Sequence, residues 1–261
     1  MIKFFSKLPF LKRLIPSFGT RFLKLIGKNR GYFKIRKIYF FLDFLDPVDR
    51  QIIIHEEYED DQVSFLEDQI RKNYFSYFLD IGANSGYYSF YLAGKFKSLK
   101  IKAFEPNIDA FNKFNKTLEK NSFKNIEIFN FGLSDNKRKV KMKSMIKHGY
   151  AHTNSAIIDF PQENSNKHLK IFDAKLRVGD DFLRFKNKKL SIKIDVEGHE
   201  LSTLRGLVNN LNQNKCLILI EIGKEKFNEV NNFLNRNNFI KIFKSKHRLD
   251  YVYTNFNSLN N

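Results

Sequence analysis

From Tyr74 onward, short apolar runs alternate with stretches of helical period. Seven runs read as strands: YFSYFLDI (74–81), IKAFE (101–105), IEIFNF (126–131), LSIKID (190–195), CLILIEI (216–222), FIKIF (239–243) and DYVYT (250–254). Between them, apolar residues recur every three or four positions, as on one face of a helix. One helix opens near Ser85. A second starts at Asn107, a good N-cap, with Ile108, Phe111, Phe114 and Leu118 on one face. A third follows Gly198, carrying Leu201, Leu204, Leu207 and Leu211, and a fourth carries Phe227, Val230 and Phe233. Upstream, HEEYEDDQVSFLEDQIRK reads as a polar helix with Val63, Leu66 and Ile70 on its buried side. Strands alternating with helices imply a parallel sheet covered on both faces. Only the short KSKHRL link joins the last two runs, which therefore close as an antiparallel hairpin.

A parallel α/β sheet ending in such a hairpin has the shape of the class I methyltransferase fold. This is a Rossmann-like sandwich around a mainly parallel seven-stranded sheet. The chain divides into a basic extension (1–42), a helical lead-in (43–73) and one α/β domain (74–261). Of its 261 residues 42% are hydrophobic, which excludes a disordered chain and a membrane bundle. The single cysteine, Cys216, excludes an internal disulfide and a cysteine-based zinc site. It fits a reducing, cytoplasmic setting.

The net charge of +18 suits an anionic partner, although a Lys-, Asn-, Ile- and Phe-rich composition accounts for much of it without one. The first 30 residues hold eight Lys or Arg and no acid. Phe4, Phe5, Leu8, Leu11 and Leu14 share a helical face before Pro16, and Phe22, Leu23 and Ile26 repeat it. Lys7, Lys12 and Arg13 interrupt the apolar core that a signal peptide needs. A basic amphipathic segment of this kind can lie on an anionic membrane surface, here the inner one. The alternatives are a helix docked on its own domain and a basic tail.

The stretch FLDIGANSGYYSF (78–90) is the first with chemical content. A strand, an acid, a glycine-rich turn and a helix N-terminus form a nucleotide-type site. The pattern is D-x-G-x-N-x-G, with Asn84 where the dinucleotide fingerprint has its middle glycine. Asparagine tolerates the left-handed conformation such a turn requires. Asp80 suits an ammonium group better than a pyrophosphate. The next strand ends in Glu105, about 20 residues on, where an acid takes ribose hydroxyls in Rossmann sites. Together these features point to S-adenosylmethionine (SAM) rather than NAD.

At the end of the fourth strand, IKIDVEGHE clusters Asp195, Glu197, His199 and Glu200. Charges at that place are costly unless they serve a site. Methyl transfer to a hydroxyl needs a base or a nearby positive centre. Asp195 and Glu197 are the expected catalytic pair, with His199 as an assistant. Glu200 belongs to the following helix, where an acid favours the N-terminal dipole. Three oxygens and a nitrogen also make a conceivable divalent-ion set, but no metal is expected. Residues 143–180 read as a polar insertion holding three of the six histidines, with Tyr150, Thr153, Asn154 and Ser155. Such loops commonly carry specificity. His148 and His152 are secondary candidates for a base.

LDIGANSGYYS, AFEPN (103–107), NFGLSD (130–135), IKIDVEGHE (192–200) and LILIEI (217–222), in this order and spacing, resemble the FkbM family of SAM-dependent methyltransferases over residues 78–245. The resemblance implies SAM as cofactor and O-methylation of sugars, glycans or related metabolites, with a small-molecule or glycan acceptor as partner. It implies that Asp80, Gly82, Ala83, Asn84 and Gly86 line the methionine end. Glu105 holds the ribose, with Pro106 and Asn107 closing that side. Ser134 and Asp135 flank the adenine. KLRVGDDFL departs from the family's usual segment at Arg177, Val178 and Gly179, which leaves Asp180 without a clear role. Two alternatives stand beside this reading. An RNA methyltransferase suits the charge, but neither a D/N-P-P-Y motif nor a catalytic cysteine occurs, so nucleic acid is the less favoured partner. A non-catalytic SAM-binding partner subunit is disfavoured by the intact Asp80, Glu105 and Asp195. The sequence names neither the acceptor nor the oligomeric state.

Overall fold

The computed structural model describes residues 29–147, 150–158, 168–245 and 248–256. Residues 1–28, with the basic amphipathic pattern, lie outside these, as do His148 and the side chain of His152. The described chain begins with a hairpin, β1 (Arg30–Ile35) and β2 (Ile38–Asp43), and two helices, α1 (Pro47–His55) and α2 (Asp60–Asn73). The α/β alternation follows: β3 (Tyr77–Ile81), α3 (Tyr87–Lys95), β4 (Lys100–Phe104), α4 (Ile108–Asn121) and β5 (Ile126–Phe129). A block of strands interrupts it: β6 (Gly132–Ser134), β7 (Arg138–Lys147), β8 (Tyr150–Ile157) and β9 (Leu169–Val178). After the one-turn α5 (Gly179–Phe182) come β10 (Lys189–Ile194), α6 (Glu200–Arg205), α7 (Val208–Asn212), β11 (Lys215–Glu221), α8 (Phe227–Arg236), β12 (Ile240–Lys244) and β13 (Asp250–Thr254).

The main sheet has seven strands in the order β12-β13-β11-β10-β3-β4-β5, and these are the seven runs read from the sequence. β10 is parallel to β3 and β11, and β3 and β5 are parallel to β4. Only β13 runs against its neighbours, β11 and β12. This is the mainly parallel sheet with an antiparallel C-terminal hairpin expected of a Rossmann-like methyltransferase. The chain order reverses between β3 and β10, so a crevice opens beyond their carboxyl ends.

Side chains of each strand alternate between two cores, as a period of two requires. Phe78, Ile101, Ala103, Leu217 and Leu219 face a core shared with α2, α3 and α4, where Val63, Leu66, Phe90 and Phe114 are buried. Leu79, Ile81, Phe104, Ile218 and Ile220 face the other core, with Leu204, Leu211, Val230 and Leu234 from α6, α7 and α8. Asn107 caps α4 as expected, its side chain accepting from the Asp109 N–H at 2.9 Å.

Residues 30–42, part of the basic extension by composition, fold against the domain. Ile35, Ile38, Phe40 and Leu42 are buried in the first core. The β2 edge is satisfied by side chains of α4: Thr117 Oγ1 accepts from the Phe41 N–H at 2.9 Å, and Asn121 bonds both the N–H and C=O of Tyr39 at 2.8 Å. Residues 143–180, read as a loop, are mostly strand. β6, β9, β7 and β8 form a second sheet in that order. Among the described residues no helix is long and apolar enough to cross a membrane.

Candidate functional site

The site begins where β3 ends. The Gly82 and Ala83 N–H groups both donate to the Phe104 carbonyl, at 2.9 and 3.1 Å, and turn the chain over the end of β4. Gly82 has a φ of 82°, and a Cβ there would lie 1.8 Å from the Asp195 carbonyl oxygen. No other residue fits, because the loop after β10 packs directly on this turn. Asn84 takes the left-handed conformation foreseen for it, at φ 49°. Gly86 caps α3 at φ 82°, with the Phe114 ring 2.5 Å from where a Cβ would stand.

Glu105, just past β4, is 5% exposed and lines the cleft. Its two oxygens accept the Asn84 N–H at 2.8 Å and the Asn107 N–H at 2.7 Å. Burial pushes its pKa up to about 7, although these two bonds pull it back. The acid therefore locks the turn and the start of α4 together, and each of its oxygens keeps a lone pair for a further donor.

Asp80 lies one layer deeper, at 1% exposure. Its Oδ2 accepts from the Ser89 hydroxyl at 2.6 Å, while Oδ1 is buried with no partner. Burial raises its pKa, against the pull of Lys193 and the Ser89 bond. Lys193 stands beside Asp80 in the β3–β10 register and donates to Asp195 Oδ2 at 3.0 Å. Burial works against the Lys193 ammonium, but Asp195, Glu59 and Asp80 outweigh it and hold its pKa above the ordinary lysine value. Lys193 is thus a fixed cation rather than a base.

The loop after β10 carries the acids singled out in the sequence. Glu197 has φ 49°, a strained value for a glutamate, and stands exposed at the cleft rim. Its carboxylate lies against protein, and that desolvation, with Asp195 and Glu200 nearby, raises its pKa. Glu200 heads α6, where its Oε1 accepts the Gly198 N–H at 2.7 Å. His199 Nε2 lies 3.0 Å from Ser134 Oγ.

These groups converge on one cleft of about 890 Å³ that opens to solvent. Of the residues singled out, Gly82, Ala83, Asn84, Glu105, Pro106, Asp195, Glu197 and His199 line it. Asp80, Gly86 and Asn107 stand behind the lining and shape it. Ser134 and Asp135, expected beside an adenine, are not among the residues that line it. The chain dives under α6 after Leu133: the Ser134 hydroxyl is fully buried against Asp135 and His199, and Asp135 points to solvent. Gly132 and Leu133 take the lining position instead.

The sequence reading missed Val48 and Ile52 of α1, Tyr58, Tyr88 and Lys193. Lys193 left a signal, a charge inside the apolar run LSIKID, which a strand buried on both faces does not carry without a site. The second sheet roofs the cleft with Met142, Asn154, Ser155, Ile157 and Leu176.

The residues present fit SAM. An amino-acid ammonium needs acceptors, and Asn84 Oδ1, on a lining residue, and Asp80 Oδ1 behind it are both buried acceptors without a partner. A ribose diol needs an acceptor-only group, which ionised Glu105 supplies.

Among solved structures, the chain is similar in shape to a precorrin-6y C5,15-methyltransferase from Geobacter metallireducens GS-15, at 11% identity and TM-score 0.44 over 76% of this chain and 89% of that one. An rRNA methylase from Streptococcus thermophilus aligns at 14% identity and TM-score 0.43 over 75% and 93% of the two chains. TYW2 of M. jannaschii, in complex with AdoMet, aligns at 12% identity and TM-score 0.41 over 87% and 84%. No curated protein sequence matches the chain. The methyltransferase FkbM domain model matches residues 80–241, from Asp80 through Glu105 and the acids after β10 to the first residues of β12. With the turn, Glu105 and the acids after β10 all inside a match covering well over half of its length, the chain belongs to the FkbM methyltransferase domain family, and its cofactor is S-adenosylmethionine.

Proposed function

We propose that this methyltransferase acts on a hydroxyl group of a carbohydrate, glycan or related metabolite. The observation that carries the reading is the loop after β10. It presents Asp195 and Glu197 to the cleft while its backbone packs on the cofactor turn at Gly82. SAM, when bound, supplies an electrophilic methyl group. Glu105 and Asn84 hold the cofactor's ribose and amino-acid ends. Glu197, its pKa raised by desolvation and by the neighbouring Asp195 and Glu200, accepts the proton of the acceptor hydroxyl on a carboxylate oxygen. Asp195 orients that hydroxyl, and Lys193, paired with Asp195, keeps the adjacent carboxylates from repelling one another apart. His199, held by Ser134, borders this end of the cleft.

The lining also supports a polyol over a phosphate-bearing acceptor. Among the described residues that line the cleft, Glu105, Asp195 and Glu197 face one ammonium, Lys193, which is already paired. The amide and hydroxyl groups of Asn84, Asn154, Ser155 and Tyr58 suit sugar hydroxyls. An RNA backbone would meet net negative charge there, whatever the overall +18 does at a distance. Incubation of the protein with methyl-labelled SAM and separated glycan, lipid and RNA fractions tests the reading. Label should enter carbohydrate as an alkali-stable ether; label confined to RNA would overturn it.

A further inference from the structure

We propose that Asn154 is a positioning residue that ties the set of the cofactor turn to the set of the Glu197 carboxylate. Asn154 stands in β8, the outer strand of the second sheet. Its carboxamide bridges two loops from distant parts of the chain. Asn84 Nδ2 donates to Asn154 Oδ1 at 3.0 Å, and Asn154 Nδ2 donates to Glu197 Oε1 at 2.9 Å. Both bonded partners hold left-handed backbone at φ 49°. Asparagine adopts that conformation at little cost, but a glutamate pays more strain and needs outside support to keep it.

The polarity of the bridge follows from the chemistry of its ends. An ionised carboxylate only accepts, so the amide nitrogen of Asn154 must face Glu197. Its oxygen is then left for Asn84, which must offer its own nitrogen. That turns Asn84 Oδ1 the other way, and this oxygen is a buried acceptor without a partner on a residue lining the cleft. The state of Glu197 is thereby relayed through Asn154 into which end of Asn84 is free for the cofactor. In return, one oxygen of Glu197 is fixed. Asp195, Glu200 and Lys193 also act on Glu197, but among the described residues Asn154 is the side chain that hydrogen-bonds both Glu197 and the cofactor turn. A side chain lacking either a donor or an acceptor breaks the relay. Aspartate accepts from Asn84 but cannot donate to Glu197; alanine does neither.

The role of Glu197 as a base rests on the function proposed above, whereas the tie itself is read on cofactor-product binding, with no acceptor present. The experiment is a double-mutant cycle on the full chain, with S-adenosylhomocysteine (SAH) affinity measured by calorimetry at pH 7 and thermal melting as a folding control. Asn154→Ala and Asn154→Asp should each melt cooperatively and bind SAH three- to tenfold more weakly. Glu197→Ala should weaken binding about threefold in the native background and leave it unchanged in the Asn154→Ala background, because the path between them is gone. Equal losses from Glu197→Ala in both backgrounds would overturn the proposal, since Glu197 would then act on the cofactor without Asn154. So would native affinity in either Asn154 variant. A native protein that fails to bind SAH would overturn the cofactor assignment itself, an outcome visible before any variant is made.

Discussion

The floor and the roof of the cleft are built on different terms. The floor is the carboxyl edge of the seven-stranded sheet, where Asp80, Glu105 and Lys193 are each less than a tenth exposed and are held by Ser89, by two backbone N–H groups and by Asp195 respectively. The roof is the four-stranded sheet, whose outer strand β8 pairs, among the described residues, on one side only and carries the exposed Asn154. A buried, cross-braced floor can hold one ligand in one pose, as a cofactor requires. An edge strand with polar side chains over the opening can vary without disturbing the core, as acceptor choice requires. The function proposed above places the chemistry where the two meet, on the loop carrying Asp195 and Glu197.

The largest effect should come from that junction. Asp195→Asn and Glu197→Gln keep size and most hydrogen bonds. At least one should lower turnover by about 10²–10⁴-fold, the usual worth of a positioned base, with SAH affinity nearly native. Native turnover in both would move the base elsewhere and turn attention to His152 and His148. Next, the floor should tolerate no added atom where the loops touch. Gly82→Ala puts a Cβ into the Asp195 carbonyl at a positive φ and should cost on the order of 3 kcal/mol or more. Gly31→Ala in β1, where no atom lies within 4 Å of the added carbon, should leave the thermal midpoint nearly unchanged. Similar melting of the two would mean that the junction is looser than described.

Glu105 gives the comparison a pH signature. Its folded pKa of about 7 lies above the ordinary carboxylate value, so the protonated form is favoured below that pH. Ribose hydroxyls bind the ionised form as donors, so SAH affinity should be full above pH 7. It should fall by up to about tenfold per unit as pH drops below 7. Glu105→Gln should flatten the profile. The smallest effect should come from the roof: Ser155→Ala should raise the acceptor KM about two- to tenfold, the worth of one hydrogen bond, without moving SAH affinity.

The same contrast governs what the sequence disclosed. Strands buried on both faces read as apolar runs, so β3, β10, β11 and β13 were legible; β12 was legible from its apolar FIKIF run although it is largely exposed, and the turn was legible because glycine and asparagine at left-handed positions are chemically conspicuous. β7 was harder to see: Lys139, Lys141 and Lys143 alternate with Val140, Met142 and Ser144, a two-residue period hidden by charge. The burial of Ser134 was not foreseen, because spacing along a strand does not reveal that a helix covers its end. Val48, Ile52 and Tyr58 escaped because nothing local in the lead-in says that it folds back over the opening.

The central claim is that the floor of this cleft holds SAM through Glu105. Calorimetric titration of the native protein and of Glu105→Ala with SAH and with NAD at pH 8 tests it most directly. The native protein should bind SAH and not NAD, and Glu105→Ala should bind SAH at least about tenfold more weakly while melting as the native protein does, since it loses two charge-assisted bonds. Tighter binding of NAD, or an unchanged SAH dissociation constant in Glu105→Ala, would contradict it.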